Sequence, residues 1–78
     1  MNFKNIPLNT FRAFLKHKGL KCISTNGGHE KWSKQNLKRP VIIQSHFDPV
    51  PEFIIRNNLR SMECSTKEFE IWLDPFKK

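Results

Sequence analysis

The sequence predicts an α+β fold of two layers, in which helices cover one face of a three-stranded antiparallel sheet. Three observations predict it: an amphipathic stripe near the N-terminus, three short extended segments separated by turn residues, and two further helical stretches towards the C-terminus. Since 78 residues hold one modest core, we expect a single domain over residues 1–78, with any chemistry on an open surface.

The first helix is predicted to begin between residues 7 and 10 and to end before Gly19. Leu8, Phe11 and Leu15 recur with the spacing of one helical face, which is typical of an amphipathic helix packed on a core. Glycine is favoured just beyond a helix because it adopts positive φ without strain. The pattern therefore places the first helix directly before the first strand.

Three extended segments follow this helix. They are Leu20–Thr25, His29–Lys34 and Val41–Ser45. Asn26, Gly27 and Gly28, between the first two, are typical of a hairpin turn that needs positive φ. Pro40 suits an edge strand, because it has no N–H to donate to a neighbouring strand.

Two helices are predicted after the loop of residues 46–51. The second helix begins at Pro51 or Glu52. The residues of its apolar face are Ile55, Leu59 and Met62. Ser65 and Glu68 have the spacing of a capping box, which predicts the start of a third helix. The apolar residues of that helix are Phe69, Trp72 and Leu73, and we expect both aromatic rings in the core.

The net charge of +7 is concentrated in one part of the chain. Residues 1–47 contain nine Lys/Arg and one acidic residue, Glu30, whereas residues 48–78 contain five basic and six acidic residues. A concentrated surplus indicates a face that binds polyanions, and a solvated lysine-rich surface is the alternative interpretation.

Cys22 and Cys64 lie 42 residues apart and form no CxxC pair, so neither a zinc site nor a disulfide framework is predicted. Cys22 lies two residues from Leu20 on the first strand and therefore on the same face, which favours a buried structural thiol over a nucleophile. The histidines are scattered, and the longest apolar runs are three residues. We therefore expect a soluble, cytoplasmic protein with no metal, no cofactor and no membrane association.

His29 follows two glycines at the start of a strand, so its backbone can approach a ligand closely. Lys31 and Ser33 are predicted on the same strand face, and Trp32 on the opposite face, in the core. Imidazole suits acid–base catalysis near neutral pH, and RNA carries its own nucleophile, the 2′-hydroxyl. The residues alone leave a turn-stabilising or surface histidine equally open at this position.

His46 closes the third strand and is a candidate for a second acid/base group or a phosphate contact. A loop histidine bonded to the backbone is the alternative interpretation. His17 lies among the lysines of the first helix and is assigned to a basic face.

Taken in order, these segments resemble the HicA toxins of bacterial type II toxin–antitoxin systems, over about residues 8–73. The matching segments are Lys18-Gly19-Leu20, Gly27-Gly28-His29, Trp32 and Pro40–His46. The resemblance implies a double-stranded-RNA-binding-domain-like fold and a ribosome-independent mRNA interferase with His29 as its catalytic residue. It also implies a HicB antitoxin as partner. The family commonly has Gly-Ser-His at the turn, so Gly28 here removes a hydroxyl group.

The resulting hypothesis is a metal-independent endoribonuclease that cleaves mRNA as the toxin of a HicA/HicB-type system. His29 would be the catalytic residue and His46 its assistant, while Gly27 and Gly28 would allow close backbone approach. The cations expected to bind the RNA backbone are Lys16, Lys18, Lys31, Lys34, Lys38 and Arg39. The alternatives are a non-catalytic RNA-binding module of the same fold and an adaptor domain that binds an acidic protein.

Overall fold

The computed structural model describes residues 3–74 and confirms the predicted order of one helix, three strands and two helices. The elements are α1 (Leu8–His17), β1 (Lys21–Asn26), β2 (His29–Ser33), β3 (Val41–Gln44), α2 (Glu52–Ser61) and α3 (Thr66–Leu73). The strands form an antiparallel sheet in the order β1-β2-β3. The single domain predicted over residues 1–78 extends beyond the described residues at both ends. Within residues 3–74, no helix has the length and apolar character needed to cross a membrane.

Both ends of α1 are fixed by hydrogen bonds. At its start, the Leu8 N–H donates to Asp48 Oδ1 at 3.0 Å, so a loop residue far along the chain caps this helix. At its end, Gly19 adopts φ +89° as predicted for a stop, and the Leu20 N–H donates to the Leu15 carbonyl at 2.9 Å. This bond is the long one of a Schellman motif, which satisfies carbonyl groups that the helix leaves unpaired.

The ends of α2 and α3 follow related rules. α2 closes with the same type of motif, in which the Cys64 N–H donates to the Leu59 carbonyl at 2.9 Å. The left-handed position is occupied by Glu63, with φ +57°, where glycine is usual. α3 begins at the predicted cap, because Ser65 Oγ accepts a hydrogen bond from the Glu68 N–H at 3.1 Å.

One face of the sheet carries the core, as the alternating burial along β2 and β3 shows. Trp32 is 4% exposed, which confirms its predicted place in the core. Phe69 of α3 is the centre of an aromatic cluster, and its ring centroid lies 4.7–5.8 Å from three other rings. Those rings belong to Phe3, Phe11 and Phe14. Trp72 was also expected in the core. It is half-buried and packs against the edge of the core, where α3 borders solvent.

The edge strand β1 departs from expectation, because all six of its residues are exposed. The structure corrects the predicted burial of Cys22, whose side chain is accessible to solvent. Within the described residues β1 pairs with β2 alone, and its register shifts at a bulge between Cys22 and Ser24. Cys22 is paired with Trp32, on the core side of the sheet, but the helices leave this edge uncovered. The thiol therefore lines an open groove of about 530 Å³ beside Lys16 and Leu20.

Candidate functional site

The site is organised by the two-residue turn that joins β1 to β2. Gly27 and Gly28 adopt φ +59° and +91°, values that residues with a side chain rarely adopt. Asn26 and His29 face each other as the last residue pair of the hairpin. The predicted hairpin turn is confirmed, and it places His29 at the first position of β2 without bulky neighbours on the turn.

The side chains of β2 alternate between the two faces of the sheet as predicted. His29 and Lys31 are exposed, whereas Glu30 and Trp32 are buried. A shallow depression of about 230 Å³ lies on the open face at this point. The residues that line it are Ser24, Asn26, His29, Glu30, Lys31 and Ile42. An imidazole and an ammonium group therefore share one solvent-facing surface.

The segment after β3 brings the second histidine to the same turn. The Ser45 N–H donates to the Gly28 carbonyl at 2.7 Å, which extends the β2–β3 pairing by one step. A Cβ atom built on Gly28 would lie 4.0 Å from His46 Nδ1 and 3.4 Å from Ser45 Oγ. The His46 ring packs against Phe47, with centroids 4.4 Å apart. His46 thus lies close to Gly28, the residue that precedes His29.

A partly buried ion pair joins β2 to α1. Arg12 of α1 donates to both carboxylate oxygens of Glu30, including a 3.1 Å bond from Nε, and Trp32 Nε1 donates to Glu30 Oε1 at 3.0 Å. The hydrogen bond from Arg12 lowers the pKa of Glu30, against the opposing effect of burial. Reasoning from sequence missed this pair. The signal was present, because Glu30 lies two residues from Trp32 on the strand and must therefore face inwards with it.

Two of the predicted RNA-binding cations are engaged within the protein. Lys18 forms an ion pair with Glu68 of α3, and this hydrogen bond raises the pKa of Lys18. Lys34 Nζ donates to the Lys18 carbonyl at 3.0 Å. A third, Lys16, lines the groove beside β1 together with Lys21. These cations lie around the C-terminal end of α1, away from the glycine turn.

The last two predicted cations lie at the opposite end of the sheet from His29. Lys38 and Arg39 belong to the connection between β2 and β3, and Arg60 at the end of α2 lies beside them. The three residues line an open cleft of about 150 Å³ with Ser61 and Glu63. Arg60 was not among the residues selected from sequence, because nothing local in α2 indicates what its last turn will contact.

The two thiols have contrasting environments. Cys22 is exposed at the edge of the sheet, whereas Cys64 is buried. Burial, assisted by the neighbouring Glu68 carboxylate, raises the pKa of Cys64 to about 11. Among the residues that the structure describes, no three His, Cys, Asp or Glu side chains cluster as metal ligands would.

The geometry supplies a solvent-facing imidazole at His29, a second imidazole close to Gly28 and an ammonium group two residues along the strand from His29. Such a set can exchange protons with a bound ligand and attract a phosphate. Comparisons of the chain with protein-family models, with curated proteins and with solved structures found no match.

Proposed function

We propose that the chain is a metal-independent endoribonuclease that cleaves mRNA, with His29 as its catalytic residue. The observation that carries this proposal is the exposed His29 directly after the glycine turn, with Lys31 on the same open face and His46 close to Gly28. The similarity to HicA toxins supports the same assignment, as does the concentration of positive charge before residue 48.

The proposed reaction uses the 2′-hydroxyl of RNA as the nucleophile. One histidine accepts the proton of that hydroxyl as the 2′-oxygen forms a bond to phosphorus. The bond from phosphorus to the 5′-oxygen breaks, and the second histidine donates a proton to the departing oxygen. The products are a 2′,3′-cyclic phosphate and a 5′-hydroxyl. Lys31 would neutralise charge on the phosphate oxygens during this exchange.

We also propose that the open sheet face is the surface an antitoxin covers. The similarity to HicA implies a HicB-type antitoxin, and the net charge of +7 suits a partner with an acidic surface. A protein seated on this face would exclude RNA from His29 without altering the fold. Toxicity would then return when the partner is removed.

The test measures cleavage of a single-stranded RNA by purified protein in the presence of EDTA. We expect cleavage of RNA, none of the DNA of the same sequence, and 2′,3′-cyclic phosphate ends on the products. His29→Ala should lower the rate by about 10²–10⁴-fold, the usual contribution of one acid or base. His46→Ala should lower it less.

The matched control is His17→Ala, which removes an exposed imidazole from α1 on another part of the surface. At saturating RNA its rate should equal that of the unmodified protein, because a residue of the basic face affects RNA affinity and not the chemical step. Circular dichroism confirms that each variant is folded. A folded His29→Ala protein that cleaves RNA at the full rate would rule out the proposal, whatever the effect of His46→Ala.

A non-catalytic RNA-binding module is the second candidate function. It is favoured by the position of Lys38, Arg39 and Arg60, which can hold a phosphate backbone without any part played by His29. In that case RNA is bound but never cut, and His29→Ala leaves the affinity unchanged.

A further inference from the structure

The cations of this protein differ in whether an acidic side chain neutralises them. Arg12 is paired with Glu30, and Lys18 with Glu68. Arg56 is paired with Glu52 at 2.8 Å. Across residues 3–74, by contrast, no ion pair involves the cations at the far end of the sheet. These are Lys38, Arg39 and Arg60, which we call the distal cluster.

The distal cluster is assembled by packing between α2 and β3. Asn58 of α2 is buried, and its Nδ2 donates to the Ile42 carbonyl of β3 at 3.3 Å. This bond fixes the last turn of α2 against the start of β3, so Arg60 lies next to Arg39. The Arg60 carbonyl accepts the Glu63 N–H at 3.0 Å, and across residues 3–74 no ion pair involves the side chain of Arg39 or Arg60. The arginine side chains are left to bind an external anion.

The distal cluster is separated from His29 by the length of the sheet. His29 is paired with Gln44, whereas Trp32 is paired with Val41. Three steps along a strand span about 10 Å, and Arg39 lies two residues beyond Val41. A single phosphate cannot contact both places, but phosphates several nucleotides apart in one polynucleotide can.

We propose that Lys38, Arg39 and Arg60 form a second phosphodiester-binding site, which holds the RNA backbone several nucleotides from the bond that His29 cleaves. Guanidinium groups bind phosphate oxygens through two parallel hydrogen bonds, and lysine adds a mobile positive charge. The open cleft suits an exposed backbone rather than an enclosed small molecule. The location of the cleaved bond rests on the proposed function, whereas binding at the distal cluster does not.

Glu63 limits the strength of this site. Glu63 lines the same cleft as the three cations, so its negative charge opposes the approach of a phosphate. The residue also holds a left-handed backbone conformation, with φ +57°, that asparagine and glycine adopt more readily. Glu63→Asn therefore removes the charge at a position where the backbone tolerates the change.

The experiment measures binding of a fluorescent 2′-O-methyl RNA of about 16 nucleotides, which covers the usual range of single-strand site sizes. This probe lacks the free 2′-hydroxyl, so it reports binding by the active protein. Simultaneous Lys38→Ala, Arg39→Ala and Arg60→Ala changes should weaken binding about tenfold. The slope of log affinity against log salt should fall by about 0.7 for each phosphate group that the variant no longer neutralises. Glu63→Asn should strengthen binding.

The matched control is Lys67→Ala, since Lys67 is exposed beside Glu70 and Asp74 on α3. We expect no change in affinity or salt slope for this variant. Unchanged affinity and slope in the triple variant would overturn the proposal. So would equally tight binding of a polyglutamate peptide that depends on the same three residues, because the site would then fit an acidic protein.

Cleavage assays separate this proposal from the proposed function. If both hold, the triple variant loses activity on the 16-nucleotide RNA and keeps it on a dinucleotide, whose one phosphate is cleaved at His29 and cannot also contact the distal cluster. If the protein never cleaves RNA, the proposed function fails. The binding measurements still test whether the distal cluster binds the RNA backbone.

Discussion

Gly28 combines two constraints, one of backbone conformation and one of space. Its φ of +91° lies where side chains are strained, and an added Cβ would come within 3.4 Å of Ser45 Oγ. At Gly27, with φ +59°, an added Cβ meets nothing within 4 Å. Of the two turn glycines, Gly28 is thus the one whose replacement is opposed by both backbone strain and a close neighbour.

We therefore expect Gly28→Ser to lower the free energy of unfolding by about 1–2 kcal/mol, the cost of a left-handed conformation for an L residue plus the tight contact. Gly27→Ser should cost less, because it has the strain without the contact. Urea denaturation measures both. Equal losses at the two positions would contradict the role assigned to Ser45.

Glu30 makes the stability of the fold sensitive to acid. Its pKa is lowered in the folded state by the hydrogen bond from Arg12, so the resulting stabilisation is present above the usual value of 4.5 and lost as pH falls through the folded value. Glu30→Gln should reduce the free energy of unfolding by about 1–2 kcal/mol at pH 7, where the pair is charged and partly screened. The difference from the unmodified protein should shrink below about pH 4.5. A difference that stays constant between pH 7 and pH 3 would exclude this account.

The two thiols should react at very different rates. Burial raises the pKa of Cys64 from 9.0 to about 11, which reduces its thiolate fraction about 100-fold at neutral pH. Cys22 is exposed and should react first with a thiol-specific chromogenic reagent. Cys22→Ser should abolish the fast phase and leave the slow one. Two fast-reacting thiols in the folded protein would contradict the burial of Cys64.

Among the helices, α1 depends on a cap that the loop after β3 supplies. Asp48 Oδ1 accepts the Leu8 N–H from 40 positions away. Asp48→Ala should lower the free energy of unfolding by about 1 kcal/mol, the usual effect of losing a helix cap. Asp48→Asn keeps an acceptor oxygen and should cost less. Chemical denaturation measures the free energy of unfolding of both variants. Equal losses would contradict the role of the Asp48 side-chain oxygen as the acceptor for the Leu8 N–H.

The elements themselves were largely predictable from sequence, because their signals act over a few residues. Apolar spacing identified α1, Gly19 its end, and Ser65 the start of α3, and each is confirmed. The Asp48 cap was not predictable, since it joins positions that no periodic pattern connects. The exposure of Cys22 was missed because alternation along a strand predicts only the face on which a residue lies. Whether helices cover that face depends on the position of the strand, and β1 is at the edge of the sheet.

At the scale of the whole molecule, stability depends on a few aromatic side chains. A chain of 78 residues has a free energy of unfolding of about 4–12 kcal/mol. Phe69 contacts aromatic rings of the N-terminal segment and of α1, and it is fully buried. Phe69→Ala should cost about 3–5 kcal/mol, a large share of that total, whereas Phe69→Leu should cost about 1–2 kcal/mol. Urea denaturation monitored by tryptophan fluorescence checks both, and a loss below about 1 kcal/mol for Phe69→Ala would contradict this account.

The candidate site was predictable in part. The glycine turn and the strand alternation placed His29 and Lys31 together, and both features are local. The separation of the cations into paired and unpaired groups was not predictable, because Lys18 meets Glu68 across 50 positions. Arg60 joins the distal cluster through the packing of α2 on β3, which is likewise a tertiary contact.

The central place of Phe69 has a consequence for synthesis of the protein. Its ring packs on Phe14, 55 positions earlier, so the aromatic cluster cannot close until the ribosome has translated the chain through α3. A nascent chain that ends before α3 already carries His29 and His46 but lacks the ring at the centre of the aromatic cluster. On the proposed function, a cut in the protein's own message would yield unfinished chains that are inactive and open to proteolysis. Cleavage of this mRNA would therefore lower the amount of active protein that cleaves it.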